Sequence, residues 1–520
     1  MSKPNESGGP KGAHRKGPGA FVLAGAAGAL CLLVVLLAVF VFPGGSEVLP
    51  TPGDTSPAVS GALVSPEVSA SAAPTPDPAL YLSTAVTVGP YTLNPAQYNY
   101  YYVGQYNLFL ANDMGTSSLT RDTPLGEQFY TEEMTWEDYF RATAENAIVY
   151  TYALSDAAQT AGHALTVTEE GQLAATLANL ETYAANSDQT FEDYLLSLFG
   201  EGVTLAIFQE ENRREALAKS YETLLCAGYE VSDADIQAAY NADSRDTDRV
   251  SYCYFPMMAA YLDANKDNTL SDAEKSVGMA DAKARAEEML AQVSHEDDFN
   301  ALCVTYADPY SRANYEGDPA FAVYREVLYE EIQSDKVLSD WAFGPRTPGE
   351  KGILEGPDYY YVLYFIGRGK QEVTVADLRL LSFRPDSAQA GVTLTEAEAA
   401  EAYVLAEEML AVFRDTDRSE TAFAGLTDRT PASYTDISPG YFSALVDGWC
   451  FDPARRPGDC ELIQEASSVY LFYFVRWGEA LWKLEVRRQI IRERFDAYFK
   501  TLAPSFVLTP GDGFSLTQVL

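Results

Sequence analysis

Histidine is scarce in this sequence: 520 residues contain three, His14, His163 and His295. Catalysis by imidazole, or a zinc site built on imidazoles, therefore has almost nothing to work with. No HExxH, GxSxG, Walker-type or GxGxxG stretch occurs. Cysteine stands at 31, 226, 253, 303, 450 and 460, with no CxxC pair, so neither a zinc ribbon nor a thioredoxin motif is available. Cys450 and Cys460 flank a Pro-Gly turn, and a small disulfide loop and two half-buried thiols are both open readings. Oxygen ligands are better represented. Asp263, Asn265, Asp267, Ser271 and Glu274 fall at positions 1, 3, 5, 9 and 12 of an EF-hand-like loop. Asn268 replaces the usual glycine, which Asn tolerates. No amphipathic helix leads in, since Tyr252 to Leu262 reads as strand and loop. The expectation is a polar loop ending in Ser271 as a helix N-cap, with a calcium loop as the alternative and no other cofactor. Acidic pairs abound, but no local feature nominates a glycosidase pair.

The elements that would position any site come in duplicate. Trp341 to Gly369, WAFGPRTPGEKGILEGPDYYYVLYFIGRG, returns altered at Trp449 to Gly478 as WCFDPARRPGDCELIQEASSVYLFYFVRWG. Each copy opens Trp-x-Phe-x-Pro, turns on Pro-Gly plus an acid, and runs into an aromatic strand. Upstream, Ala286 to Ala291 and Ala406 to Ala411 are the same hexapeptide, AEEMLA. Further up, Val250 to Phe255 answers Leu378 to Phe383. One order of elements occurring twice is the signature of a duplicated domain.

Around this repeat, a net charge of -39 repels nucleic acid and anionic lipid headgroups. Residues 1–19 are a basic head expected in the cytoplasm. Ala20 to Phe42 is an uninterrupted apolar run, longer than the roughly 20 residues needed to cross a bilayer. The preceding positive charges predict a single-pass anchor with the bulk of the chain outside. A cleaved signal peptide is the rival, but its apolar core is usually about 7–15 residues. Residues 43–83, rich in Pro, Ser and Ala, predict an extended tether. Residues 84–247 read as an all-α block that opens on a short strand and turn from Val86 and has Ser or Thr at several helix starts. Two α+β units follow, 248–370 and 371–480. A helix from Leu481 to Leu502 within 481–505 is expected to pack back on the helical block, leaving 506–520 as a tail.

Asp298-Phe-Asn-Ala-Leu-Cys-Val-Thr-Tyr-Ala-Asp308, followed by Glu316-Gly-Asp318, resembles the F-x-x-L-x-x-x-Y-S-x-D…G-G-D stretch of parvulin-type peptidyl-prolyl isomerases. Trp341-Ala-Phe343…Pro348-Gly-Glu350 is similar to the segment that closes that fold. The helical block resembles the N-terminal chaperone domain of SurA, PrsA and their anchored relatives at Val86-Thr-Val-Gly, Trp136-Glu-Asp-Tyr139, Thr190-Phe-Glu-Asp-Tyr194 and Val231-Ser-Asp-Ala-Asp235. This resemblance covers roughly residues 84–505. It implies an α+β multidomain protein: a SurA-like helical domain completed by the C-terminal helix, plus two tandem parvulin-like units.

Active parvulins place one His in the first strand and one in the last, near an Asp or Cys. Here the strand positions hold Tyr252 and Tyr361 in the first unit and Leu380 and Tyr470 in the second, and the loop acid lines up with Asp308, or one place on at Pro309. The resemblance thus implies degenerate isomerase units with little or no activity. It also implies a groove for extended peptide lined by Tyr252, Phe255, Trp341, Phe343, Tyr361, Leu380, Phe383, Trp449, Phe451 and Tyr470. The expected function is a bacterial, membrane-anchored, extracytoplasmic chaperone for unfolded or newly exported polypeptides, with no nucleic-acid partner. Alternatives are a working isomerase with Tyr252, Asp308 and Tyr361 as a rearranged site, and an envelope structural or adhesion protein.

Overall fold

A computed structural model describes residues 78–113, 117–318, 320–385, 393–427, 430–466 and 468–520. The apolar run Ala20 to Phe42 lies outside them. Among the described residues no helix is long and apolar enough to cross a membrane. The chain is mixed α+β and divides into two compact units. One comprises Met1–Glu230, Ala376–Arg476 and Ile491–Leu520; the other comprises Val231–Val375 and Trp477–Ile490.

In the first unit, helix starts obey capping chemistry. Asn94 and Gln97 form a capping box at α1 (Pro95–Asn112), with Pro at its first position. Thr135 and Asp138 do the same for α2 (Trp136–Thr160). Thr166 opens α3 (Val167–Asn186). Thr190 and Thr204 cap α4 (Phe191–Phe199) and α5 (Leu205–Gly228). Tyr98, Tyr100, Tyr101 and Tyr102 on α1 are all buried, so this helix is the block's central element.

Three boundaries differ from expectation. The tether ends before Ser83, because a turn of helix at Ala79–Leu82 already buries Leu80. Beyond the expected short strand and turn that open it at Val86, the block carries further short strands. β1 (Val86–Val88) pairs antiparallel with β2 (Tyr91–Leu93), and β3 (Phe129–Thr131) pairs with β4 (Met134–Thr135). Finally, 506–520 is no loose tail. Its strand Leu508–Pro510 takes the other edge of β1, Phe506 is buried, and Leu125 N–H donates to the Leu520 carbonyl at 2.9 Å. The C-terminal helix Leu481–Leu502 packs as its apolar face suggests: Phe495 joins Tyr150, Leu154 and Ala218.

The sequence repeat is visible as two four-stranded sheets. β5 (Asp248–Met258), β6 (Val323–Val327), β7 (Lys351–Glu355) and β8 (Tyr359–Lys370) are ordered β6-β5-β8-β7. β9 (Thr374–Phe383), β10 (Ala432–Ile437), β11 (Cys460–Gln464) and β12 (Val469–Ala480) are ordered β10-β9-β12-β11. The likeness extends to single bonds. Gly349 N–H donates to Phe365 O, and Phe365 N–H to Glu350 O; Gly458 and Phe474, and Phe474 and Asp459, do the same. Both glycines hold φ near +90°, at +89° and +91°, which a side chain resists. The AEEMLA helices, α6 (Asp272–Gln292) and α8 (Glu396–Arg414), bury Ala282 and Ala286, and Ala402 and Ala406, completely. Small residues there let helix and sheet approach closely. Each sheet also buries an Asp against an Arg: Asp248 with Arg368 at 2.7 Å and Asp377 with Arg476 at 2.6 Å.

Candidate functional site

Alternation along β5 sends successive side chains to opposite faces. Cys253, Phe255 and Met257 face α6 and its Met289. Val250 and Tyr252 share the other face with Tyr361, Leu363 and Phe365, under a helix α7 (Lys336–Ala342) and the turn after it. On that second face five tyrosines meet. Tyr252 and Tyr324 stack with centroids 5.3 Å apart, and Tyr254 lies 5.6 Å from Tyr361. Tyr359 donates its hydroxyl to Tyr361 at 2.9 Å, and Tyr361 donates to Asp335 at 2.5 Å. Asp335 is itself placed as the N-cap of α7, accepting from Leu338 N–H at 3.0 Å.

This chain of hydroxyls has defined chemistry. Burial, then the Asp335 hydrogen bond, pushes the Tyr361 phenol far up; burial does the same to Tyr252 and Tyr254. All stay protonated near neutrality, so none is a base or nucleophile there. They are donors, and the Tyr359 and Tyr361 protons are already committed to partners.

Sequence reasoning places Asp308 beside Tyr252 and Tyr361, but its carboxylate serves its own loop. It accepts from Tyr310 N–H at 2.8 Å, from Ser311 N–H at 3.2 Å and from the Ser311 hydroxyl, which holds it below the usual carboxylate range. The acid that meets the tyrosines is Asp335. Its signal was present as an N-cap Asp ahead of Leu338 and Trp341. Described histidines lie off both sheets: His163 Nε2 is 2.8 Å from Ser220 Oγ, and His295 precedes the helix Glu296–Tyr306.

The expected peptide groove is also corrected. Trp341 is 4% exposed, Phe343 6%, Tyr361 3% and Tyr252 1%, so these residues are core rather than an open lining. Phe255 is on the opposite face, packed on α6. In the second sheet Phe383 likewise packs with Ala402 and Ala406, while Leu380 is buried. Trp449 and Tyr470 are buried beside Phe472, and Phe451 is half-buried at the end of α9 (Ala444–Cys450). One pair of residues was missed in both copies. Arg346 lies 4.5 Å over Trp341 and binds Glu350; Arg455 lies 4.9 Å over Trp449, with Asp459 at 3.7 Å. An Arg four residues before each turn acid was the readable sign.

At the EF-hand-like loop, Asp263 accepts from the N–H groups of Lys266, Asp267 and Asn268, and Asp267 from Thr269. Glu274 closes a capping box with Ser271, whose hydrogen bonds depress its carboxyl to about 2. Among the described residues no group of three or more His, Cys, Asp or Glu could hold a metal ion. Cys450 and Cys460 are free thiols, and burial pushes both up to about 12, so neither is a ready thiolate near neutrality.

A polar network inside the helical block had no counterpart in the sequence reading. Glu211 is fully buried and accepts from Gln97 at 2.7 Å, Tyr101 at 2.9 Å and Tyr152 at 3.0 Å. One helical turn on, Glu215 accepts from Tyr100 at 2.9 Å, and Glu222 accepts from Tyr150 at 2.7 Å. No protein-family model matches this sequence, and no curated protein matches it at a significant level.

Proposed function

We propose that this chain is an extracytoplasmic chaperone of the SurA/PrsA type, anchored in a bacterial cell membrane by Ala20 to Phe42. Its two parvulin-like units act as scaffold and do not isomerise proline. The observation that carries the reading is two sheets of one strand order whose strands hold Tyr252, Tyr361, Leu380 and Tyr470 where the resemblance wants imidazoles. The hydroxyls of Tyr359 and Tyr361 in the first sheet are spent on each other and on Asp335. Rotation about an X–Pro bond takes tens of seconds or longer unaided, and a site with its donors already paired offers little to lower that barrier.

Reconstituted in zwitterionic nanodiscs, the full chain should slow aggregation of unfolded clients in a refolding assay. Failure with every client tried sinks the proposal. On a proline peptide, wild type and Tyr361→Phe should both stay near the uncatalysed rate. A second reading, a rearranged isomerase, draws on the Tyr359–Tyr361–Asp335 relay. An acceleration of about a hundredfold that Tyr361→Phe abolishes would establish it instead.

A further inference from the structure

If the repeated turn is core, client contact must lie elsewhere, and the helical block exposes a place for it. β3 and β4 form a two-stranded ribbon whose pairs are Phe129 with Thr135 and Thr131 with Met134. A ribbon this short does not hold itself in water. Here it is footed on the core. Tyr130 packs 4.8 Å from Trp136 and 4.5 Å from Tyr139, and Trp136 N–H donates to Gln128 O at 2.9 Å. Gln128 in turn ties the preceding loop through Thr120 and Thr123.

What the ribbon presents is unusual for a monomer surface. Phe129 is 66% exposed, Tyr130 44% and Met134 36%. Both strands are edges, with backbone groups open to a further strand. The rim has one sign of charge. Between Arg121 and Arg141 the sequence holds Asp122, Glu127, Glu132, Glu133, Glu137 and Asp138 and no Lys or Arg. Glu137 is neutralised by Arg141 and Asp138 is engaged as a cap, whereas Glu127, Glu132 and Glu133 are exposed. Beneath Tyr130, the Trp136 indole is 3% exposed and its N–H has no acceptor.

We propose that the Phe129–Thr135 hairpin is a docking site for extended polypeptide carrying Lys or Arg beside large apolar residues. The occupant adds along a ribbon edge, its apolar side chains cover Phe129 and Met134, and its cations meet Glu127, Glu132 and Glu133. A carbonyl brought under a displaced Tyr130 ring gives the Trp136 indole its missing acceptor. The same acidic rim disfavours an anionic bilayer as the partner. This inference rests on the chaperone reading and names the class of segment it takes.

The test measures fluorescence anisotropy of short unstructured peptides against the full chain in zwitterionic nanodiscs. One peptide has a Phe/Leu centre flanked by Lys; in a second Glu replaces Lys; in a third Ser replaces Phe and Leu. The first should bind about tenfold more tightly than either control, and added salt should narrow its lead over the second. Phe129→Ser, and separately Glu132→Lys with Glu133→Lys, should each weaken it about tenfold without altering the circular dichroism. If both variants bind like wild type while the chain still protects clients from aggregation, the hairpin is not the site and the chaperone reading survives. No peptide binding and no protection overturns both. If Phe129→Ser instead turns a sedimenting dimer into a monomer, the ribbon joins two copies of this chain, and the proposal falls.

Discussion

Glu215 lies in the helical interior with one carboxyl oxygen on the Tyr100 hydroxyl and Glu211 one turn away on the same helix. Burial, opposed by the Tyr100 bond and reinforced by Glu211, raises its carboxyl to about 8. The folded value thus exceeds the unfolded one. Its contribution is fully present below the unfolded value near 4.5 and is lost as pH climbs through about 8. Glu215→Gln keeps the Tyr100 acceptor and removes the titration. Urea unfolding should show wild type losing stability relative to the variant across that window, by ~1.4 kcal/mol per pH unit at most. Parallel pH profiles would refute a titrating Glu215.

At the scale of elements, the two closing turns share their bonds and differ at one packing contact. A Cβ on Gly352 of β7 would sit 2.5 Å from Trp341 Nε1 and 2.9 Å from its Cε2. The matching position in the second copy is Glu461, and there Trp449 meets Phe472, which answers Leu363, whereas Trp341 meets Phe365, which answers Phe474. Gly352→Ala must push the first indole aside and should cost ~1–3 kcal/mol. Gly367→Ala on β8, where an added carbon meets nothing within 4 Å, should stay within ~0.5 kcal/mol in the same thermal melts. The repeat was legible because its marks are local: capping residues, a Pro-Gly turn, and Trp and Phe at fixed spacing. The site was less so. Tyr324 and Asp335 reach Tyr252 and Tyr361 only through strand pairing and helix docking. The proposed groove ignored the period of two that sends Tyr252 and Phe255 to opposite faces. Glu211 and Glu215 were unreadable because a buried acid on a helix looks like a solvated one until its tyrosine partners are in place.

For the molecule as a whole, the helical block depends on residues at the end of the chain. Thr84 N–H reaches Asp512, Gly511 N–H donates to Ala85 O at 2.7 Å, and Gln518 N–H donates to Asn99 at 2.8 Å. Glu201 N–H finds its acceptor in the Gln518 side chain at 2.9 Å. A chain ending at Ser505 should lose at least the ~3–5 kcal/mol that truncating one buried Phe costs. Limited proteolysis should then cut within residues 84–112, a stretch the full chain protects. Unchanged resistance would mean these contacts are dispensable.

Stitching the first folded strand to the last one has a temporal consequence. A polypeptide made from its amino end holds β1 with one edge unfilled until Leu508 to Pro510 arrive. Every earlier stage therefore leaves the backbone groups of that edge without a partner strand. A chain that stops short of Leu508 cannot fasten its own clasp.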